Sequence, residues 1–552
     1  MPAKEFNLLE EPWIKVTTLG LETKEVSLIE AISHAHEYRG LAGEMATQDF
    51  AMLRILLAIC QTIFYYYDED GNRNELSEEN GFEKEDVLER WCEYLQRGKF
   101  DEKIVADYLQ KYQERFWLIH PETPFWQVPN LQYGTEYTNG MCLSGNVKES
   151  NNPKTRHHFS MFDSTSEISF EYAEATRWLI HLNAYGVNVK QDKKAPGTRN
   201  SVGTGRLGRM GSIHVKGTNL FQILMMNLTP LKNSDDLWGK PKPAWEKPLR
   251  TDQGHLIAPP DNLPELYTIQ SRRITLLYKN NRVTGFRTMG GDYYPLENDP
   301  IEPMTIWERK EKGKQIIFEP RIHDPSIHAW REFPSLFCEN DNAAVPTPGI
   351  VKWTKTLVEE EQIPESQMIT YRMIGLTYDG MKYNYVDIVD DSLTLSAHLL
   401  ENKSSIWISY INDEIQKCRT TADTITFFAN KIVAFYYGED NKKRKAIQSQ
   451  LISQYYSLID QPFRLWLMNI DPVTNKKEQT LCSWEKTSRK IAMKVANDYI
   501  DSLGVHAYLV KDKGKSDSSV FQILNKYAYK ITNIYPITEH LAENTNQKGE
   551  IM

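Results

Sequence analysis

From Ser392 onward the apolar residues fall at helical spacing in runs of about 25 residues, and the chain before that point does not read this way. Helices are expected at about 393–417, 421–437, 444–468, 477–503 and 518–533, parted by Gly438, Asp471-Pro472 and Gly504. Long amphipathic helices with short connections bury their apolar stripes by lining up antiparallel, which predicts a four-helix bundle. The expected fold class is therefore α+β, with a large mixed N-terminal domain over 1–390 and a C-terminal helical bundle over 391–552.

The first portion alternates short strand signals with helices. Strands are expected around Pro12 and Gly20, then helices at about 28–38 and 47–66, the second carrying Phe50, Leu53, Leu56, Leu57 and Cys60 on one face. Two more amphipathic helices are expected at 84–97 and 101–116, and another at 168–184. Between them, Pro121 to Phe159 has no period, and a stretch that long in a compact chain reads as a functional or mobile loop. Residues 265–390 mix β-branched runs with the turn dipeptides Asn280-Asn281 and Asp379-Gly380.

The chain carries 65 basic and 74 acidic residues, a formal charge of -9, which by itself argues against a polyanionic partner. The positive charge is concentrated, however. Between Lys190 and Gly217 stand Lys190, Lys193, Lys194, Arg199, Arg206, Arg209 and Lys216 against Asp192 alone, interleaved with glycines. Such a segment brings main-chain N–H groups close to phosphates or groove edges, with the charge in place to hold a polyanion. Two smaller basic runs, Lys442-Lys443-Arg444-Lys445 and Lys511, Lys513 and Lys515, read as solvated faces.

Catalytic and cofactor chemistry finds little support. The six cysteines (Cys60, Cys92, Cys142, Cys338, Cys418, Cys482) are widely spaced, so buried free thiols and no metal site are expected. Histidines from Arg321 to His328 read as core or surface residues. Gly203-Thr204-Gly205-Arg206-Leu207-Gly208 matches the dinucleotide fingerprint, yet no strand signal precedes it, which leaves a nucleotide-dependent enzyme as an alternative only. Asp387, Asp390 and Asp391 read as a strand-to-helix turn with an N-cap. No enzyme activity and no cofactor are expected. The most apolar run, Ala51 to Phe64, contains Arg54 and is short for a bilayer, and no secretory signal opens the chain, so no membrane and a cytoplasmic location are expected. A generic helical adaptor is the remaining alternative.

The opening Phe6-Asn7-Leu8-Leu9-Glu10-Glu11-Pro12-Trp13-Ile14, with Val26-Ser27-Leu28 and Leu53-Arg54-Ile55-Leu56-Leu57-Ala58, resembles the CasA family, the large subunits of type I-E CRISPR Cascade surveillance complexes. Thr123-Pro124-Phe125-Trp126-Gln127-Val128, Leu143-Ser144-Gly145, Gly203-Thr204-Gly205 and Glu302-Pro303-Met304-Thr305 agree with it, and the resemblance spans essentially the whole chain. It implies a non-catalytic protein that recognises the protospacer-adjacent motif in double-stranded DNA and promotes duplex opening and R-loop formation. It also implies support of the displaced strand and recruitment of a helicase-nuclease in antiviral defence, with other Cascade subunits and the guide RNA as partners.

Carried over by position, the resemblance places the family's glycine loop at Pro196 to Asn200, with Gly197 and Arg199 as its DNA contacts beside Lys193, Lys194, Arg206 and Arg209. Its long loop, which meets the guide's 5′ end and the motif, falls at about Asn130 to Phe159, with contacts from Lys148, Asn151, Asn152, Lys154, Arg156 and Phe159. The family's lysine finger follows a Thr-Gly-Phe that matches Thr284-Gly285-Phe286, and here Arg287 stands in its place. The wedge hairpin falls at Gly380, Met381 and Lys382, with Met381 at the position of the family's glutamine and Tyr378 beside it on an exposed tip. Some members hold zinc on cysteines that this chain lacks.

Overall fold

The computed structural model describes residues 4–145, 168–192, 201–232, 235–251, 254–298, 301–337, 345–382, 384–438, 440–510 and 519–536. It divides into two compact units, Met1–Ile363 with Ile369–Ser392, and Pro364–Met368 with Leu393–Met552.

The first unit opens on a small antiparallel sheet in which β1 (Ile14–Thr18) lies between β2 (Thr23–Val26) and β3 (Tyr38–Leu41). Helix α1 (Ala46–Tyr66) follows. One buried face was expected of it, but every residue from Phe50 to Phe64 is buried, so the helix is covered all round. It is long and apolar enough to cross a bilayer, the one such helix among the described residues, and 83% of its most apolar window is buried inside the protein. Arg54 survives there because Glu302 meets it in a two-pronged ion pair at 2.7 and 3.0 Å, with the Tyr267 ring 4.3 Å from the guanidinium carbon. Burial opposes both charges, and their mutual attraction holds Glu302 below and Arg54 above their ordinary pKa ranges.

Helix α2 (Lys84–Arg97) closes on Gly98 in the left-handed region, and α3 (Glu102–Gln110), capped by Asp101, ends earlier than the periodicity suggested. Strand β4 (Thr135–Tyr137) and helix α4 (Tyr172–Tyr185) come next, then β5 (Ser212–Val215) and α5 (Leu220–Asn227). Strands β6 (Arg272–Lys279) and β7 (Arg282–Gly290) form a hairpin that pairs with β4 in the order β6-β7-β4. Its turn is Asn280-Asn281 with φ of 53° and 58°, the left-handed pair that the dipeptide predicts. Strands β8 (Met368–Tyr378) and β9 (Tyr385–Ser396) form a second hairpin, which β5 joins in the order β9-β8-β5.

Asp387, Asp390 and Asp391 lie inside β9, not at a helix start. Arg372 on β8 grips Asp390 through two 2.7 Å hydrogen bonds, and Asp391 accepts from the Ala329 N–H at 2.7 Å. These carboxylates brace the sheet. His323 is buried with Nε2 2.9 Å from the Ser212 carbonyl, and burial lowers its pKa to about 4, so it is a neutral core histidine as read. Buried thiols hold for Cys60 and Cys418, whereas Cys92, Cys142 and Cys482 are half-buried, and Cys338 lies outside the described residues.

Among the described residues, the second unit contains four long helices: α6 (Ser405–Tyr437), α7 (Asn441–Met468), α8 (Lys477–Ser502) and α9 (Val520–Ile534). The two helices expected at 393–417 and 421–437 are one, starting later. Thr420 and Thr421 do not break it because their hydroxyls donate back to the Gln416 and Lys417 carbonyls at 3.0 and 2.8 Å. Residues 393–396 belong to β9 instead. Ile411, Ile415, Phe428, Ile459 and Phe463 fill the core, and Tyr535 reaches in to contact Ser488 and Thr421 at 2.8 and 3.0 Å.

Candidate nucleic-acid interface

The glycine-rich segment is described from Ser201, so Lys193, Lys194, Gly197 and Arg199 lie outside the described residues. Four of its main-chain donors serve the protein itself. Val202 N–H donates to Val189 at 2.9 Å, Gly203 N–H to Asn188 Oδ1 at 2.9 Å, Gly205 N–H to Gly186 at 2.8 Å and Gly208 N–H to Gly205 at 3.1 Å. The glycines are there for close packing. A Cβ on Gly205 would meet the Ala184 carbonyl oxygen at 2.4 Å, and one on Gly208 would meet the Tyr378 hydroxyl at 2.2 Å. The N–H groups of Val202, Gly203, Gly205 and Gly208 are therefore taken up inside the protein and do not contribute to the expected cradle, nor do those of Gly203, Gly205 and Gly208 serve as phosphate donors of a dinucleotide fingerprint.

The two described arginines of the segment differ. Arg206 is nine-tenths buried: its guanidinium lies 4.4 Å over the Tyr294 ring, donates to the Tyr294 hydroxyl and sits 3.6 Å from Glu302. It extends the Arg54–Glu302 pair and is a structural cation. Arg209 is exposed and covers Gly203, whose φ is +77°. Behind both, Arg272 is 1% exposed and donates to the carbonyls of Gly186, Val187 and Gly203 at 2.6–2.8 Å. Burial lowers its pKa, and the positive charge adds to the potential beneath the segment.

The β8–β9 hairpin turns through Asp379 to Asn384, with Tyr383 outside the described residues. Asp-Gly signalled a two-residue turn, but the connection is longer. The Lys382 N–H returns to the Asp379 carbonyl at 2.8 Å, and Lys382, not Gly380, takes the left-handed backbone with φ of 61°. Gly380, Met381 and Lys382 are all exposed, Met381 at 74%. Tyr378 is not on the tip: it packs 5.6 Å from the Tyr385 ring and its hydroxyl donates to the Tyr185 carbonyl at 2.7 Å.

Asn188, which carried no signal in the sequence, joins the two features. Its main-chain N–H donates to the Lys382 carbonyl at 2.7 Å, and its side chain accepts from Gly203. Arg287 on β7 faces Glu136 on β4, pairs with it, and donates to the Leu131 carbonyl at 2.6 Å. A fingertip role would require that pair to open. Lys148, Asn151, Asn152, Lys154, Arg156 and Phe159 lie outside the described residues.

The family described as CRISPR-associated protein Cse1 matches residues 7–495. The chain belongs to the Cse1 family. A CasA/Cse1 protein of Thermus thermophilus is 28% identical over 417 residues, 73% of each chain. Among solved structures, Cse1 of Thermobifida fusca superposes with a TM-score of 0.79 at 25% identity, covering 96% of this chain and 98% of that one. Cse1 of Acidimicrobium ferrooxidans gives 0.74 at 21% identity over 97% and 100%. A chain described as a CRISPR RNA-guided surveillance complex shares the fold, with a TM-score of 0.68 at 15% identity over 95% and 99%. The Cse1 fold thus accounts for both the mixed unit and the helical unit.

Proposed function

We propose that this chain is the non-catalytic large subunit of a type I-E CRISPR RNA-guided surveillance complex, working in the cytoplasm with guide RNA and the other subunits. It recognises the protospacer-adjacent motif in double-stranded DNA, promotes duplex opening and R-loop formation, supports the displaced strand and recruits the helicase-nuclease. Family membership along nearly the whole chain is the observation that carries this reading.

The geometry supports a division of labour. Met381 is an apolar side chain held out on a braced turn, suited to enter between base steps, where the unstacking cost of a few kcal/mol is offset by contacts to the distorted duplex. Arg209 and Lys382, with Lys193, Lys194 and Arg199, supply sequence-independent phosphate contacts, and Gly197 the close backbone approach. Arg287 and the segment from about Asn130 to Phe159, through Lys148, Asn151, Asn152, Lys154, Arg156 and Phe159, contact the motif and the guide end.

The test is reconstitution with guide RNA and partner subunits, with and without this chain. Omitting it should abolish binding to a motif-bearing duplex while sparing a single-stranded complement. Unchanged duplex binding, or metal-dependent DNA cleavage by the pure chain, would overturn the reading.

A further inference from the structure

In the helical unit, residues from two separate chain segments converge on one point. His398 Nδ1 lies 2.9 Å from Glu401 Oε1 and 3.4 Å from Glu365 Oε2, and one ligand atom from each of the three residues falls within 4.8 Å of the others. The Lys403 ammonium sits against the same carboxylates, 2.5 Å from Glu401 Oε2 and 3.6 Å from Glu365 Oε1. On the far side of the ring, His398 Nε2 is 4.0 Å from Asp471 Oδ1.

An ordinary surface ion pair does not account for all of this. The Glu401 side chain is only 7% exposed, and its Oε2 is paired with the Lys403 ammonium. A buried carboxylate must be held by a counter-charge, and here that charge rides on a lysine whose side chain is 66% exposed. The donor set, one imidazole nitrogen and two carboxylates, suits a borderline divalent ion more than calcium or magnesium, which take oxygen throughout. Two carboxylates and a neutral imidazole balance one such ion in charge. A tetrahedral zinc with bonds of about 2.1 Å separates its ligand atoms by about 3.4 Å; His398 Nδ1 keeps that distance from Glu365, and the ion would replace its 2.9 Å hydrogen bond to Glu401.

We propose that Glu365, His398 and Glu401 form a divalent transition-metal site, that zinc is the ion that fits it, and that Lys403 competes with the ion for the carboxylates. The site stands independently of any DNA-binding role. It ties the 364–368 segment to residues 398–401.

The full chain, stripped with chelator and dialysed, is titrated with Zn2+ by calorimetry and with Co2+ by visible absorption. The wild type should take up one saturable equivalent. Lys403→Ala should bind about tenfold tighter or more, since it removes the competing cation. Glu365→Gln, at a side chain 44% exposed, should bind at least about tenfold weaker while its unfolding midpoint in chelator is unchanged. Glu365→Gln carries the test even if a His398 variant does not fold. Absence of saturable Zn2+ binding in both wild type and Lys403→Ala, or identical affinity in all three proteins, would show a salt-bridge network only.

Discussion

Arg206 and Arg209 stand three residues apart in the same basic segment, and the structure gives them opposite duties. Truncating Arg206 to alanine removes a guanidinium stacked on Tyr294, worth up to about 2 kcal/mol when desolvated. It also deletes the guanidinium's hydrogen bond to the hydroxyl of Tyr294, a residue 3% exposed, at about 1–3 kcal/mol. Glu302 keeps Arg54, so no buried charge is orphaned and the combined loss should be about 2–4 kcal/mol. Arg209→Ala, on an exposed side chain, should cost about 1 kcal/mol or less. DNA affinity should respond the other way. Each phosphate contact adds about 0.9 to the slope of log affinity against log salt, so Arg209→Ala should flatten that slope by about 0.9 and Arg206→Ala should leave it unchanged. Urea unfolding and a salt series on one motif-bearing duplex read the two quantities. If Arg206→Ala flattens the slope while costing less than about 1 kcal/mol, the side chain leaves its place over Tyr294 to meet DNA, and the structural assignment is refuted.

Glu302→Leu alone should destabilise the mixed unit by about 3–5 kcal/mol through unpaired Arg54 and, more weakly, Arg206, and adding Arg54→Met should recover part of that; no recovery at all in the double variant would mean the Arg54 pair is not the cause. Met381→Ala with Lys382→Ala should leave thermal unfolding within about 0.5 kcal/mol of wild type yet slow guide-RNA invasion of intact duplex, sparing a target whose first pairs are mismatched open. Equal slowing on both targets returns the turn to an ordinary surface loop. Burial raises the Glu414 carboxyl to about 7 against the opposing Lys417 ammonium. A raised carboxyl takes up a proton on folding, so its contribution is complete below about pH 4.5 and is lost as pH rises through 7. Denaturant midpoints of the helical unit should therefore fall between about pH 4.5 and 7, and Glu414→Gln should flatten that fall; an unchanged profile would place the titration elsewhere.

The local signals were sound where one segment decides its own structure. The α+β class, the long C-terminal helices, the Asn280-Asn281 turn and the exposed Met381 all follow from period and turn chemistry. Boundaries were misread where side chains overrule propensity, as at Thr420 and Thr421, which satisfy themselves within one continuous helix. The duties of the charged residues could not be read at all, because charge in a sequence has no address. Arg206 reads as a DNA contact in the sequence, but Tyr294 and Glu302, both distant in sequence, close around it, and Arg287, which stands at the place of the lysine finger, has Glu136 opposite it on β4. The glycines were right for close backbone approach, but the approaching groups are the Ala184 carbonyl and Tyr378. The contacts of Asn188 and the Glu365–His398–Glu401 cluster are made by chain crossings distant in sequence. Helical period and turn chemistry are written within a few residues of each other, whereas ion pairs, buried donors and metal ligands are chosen by which distant segments the packed core presses together.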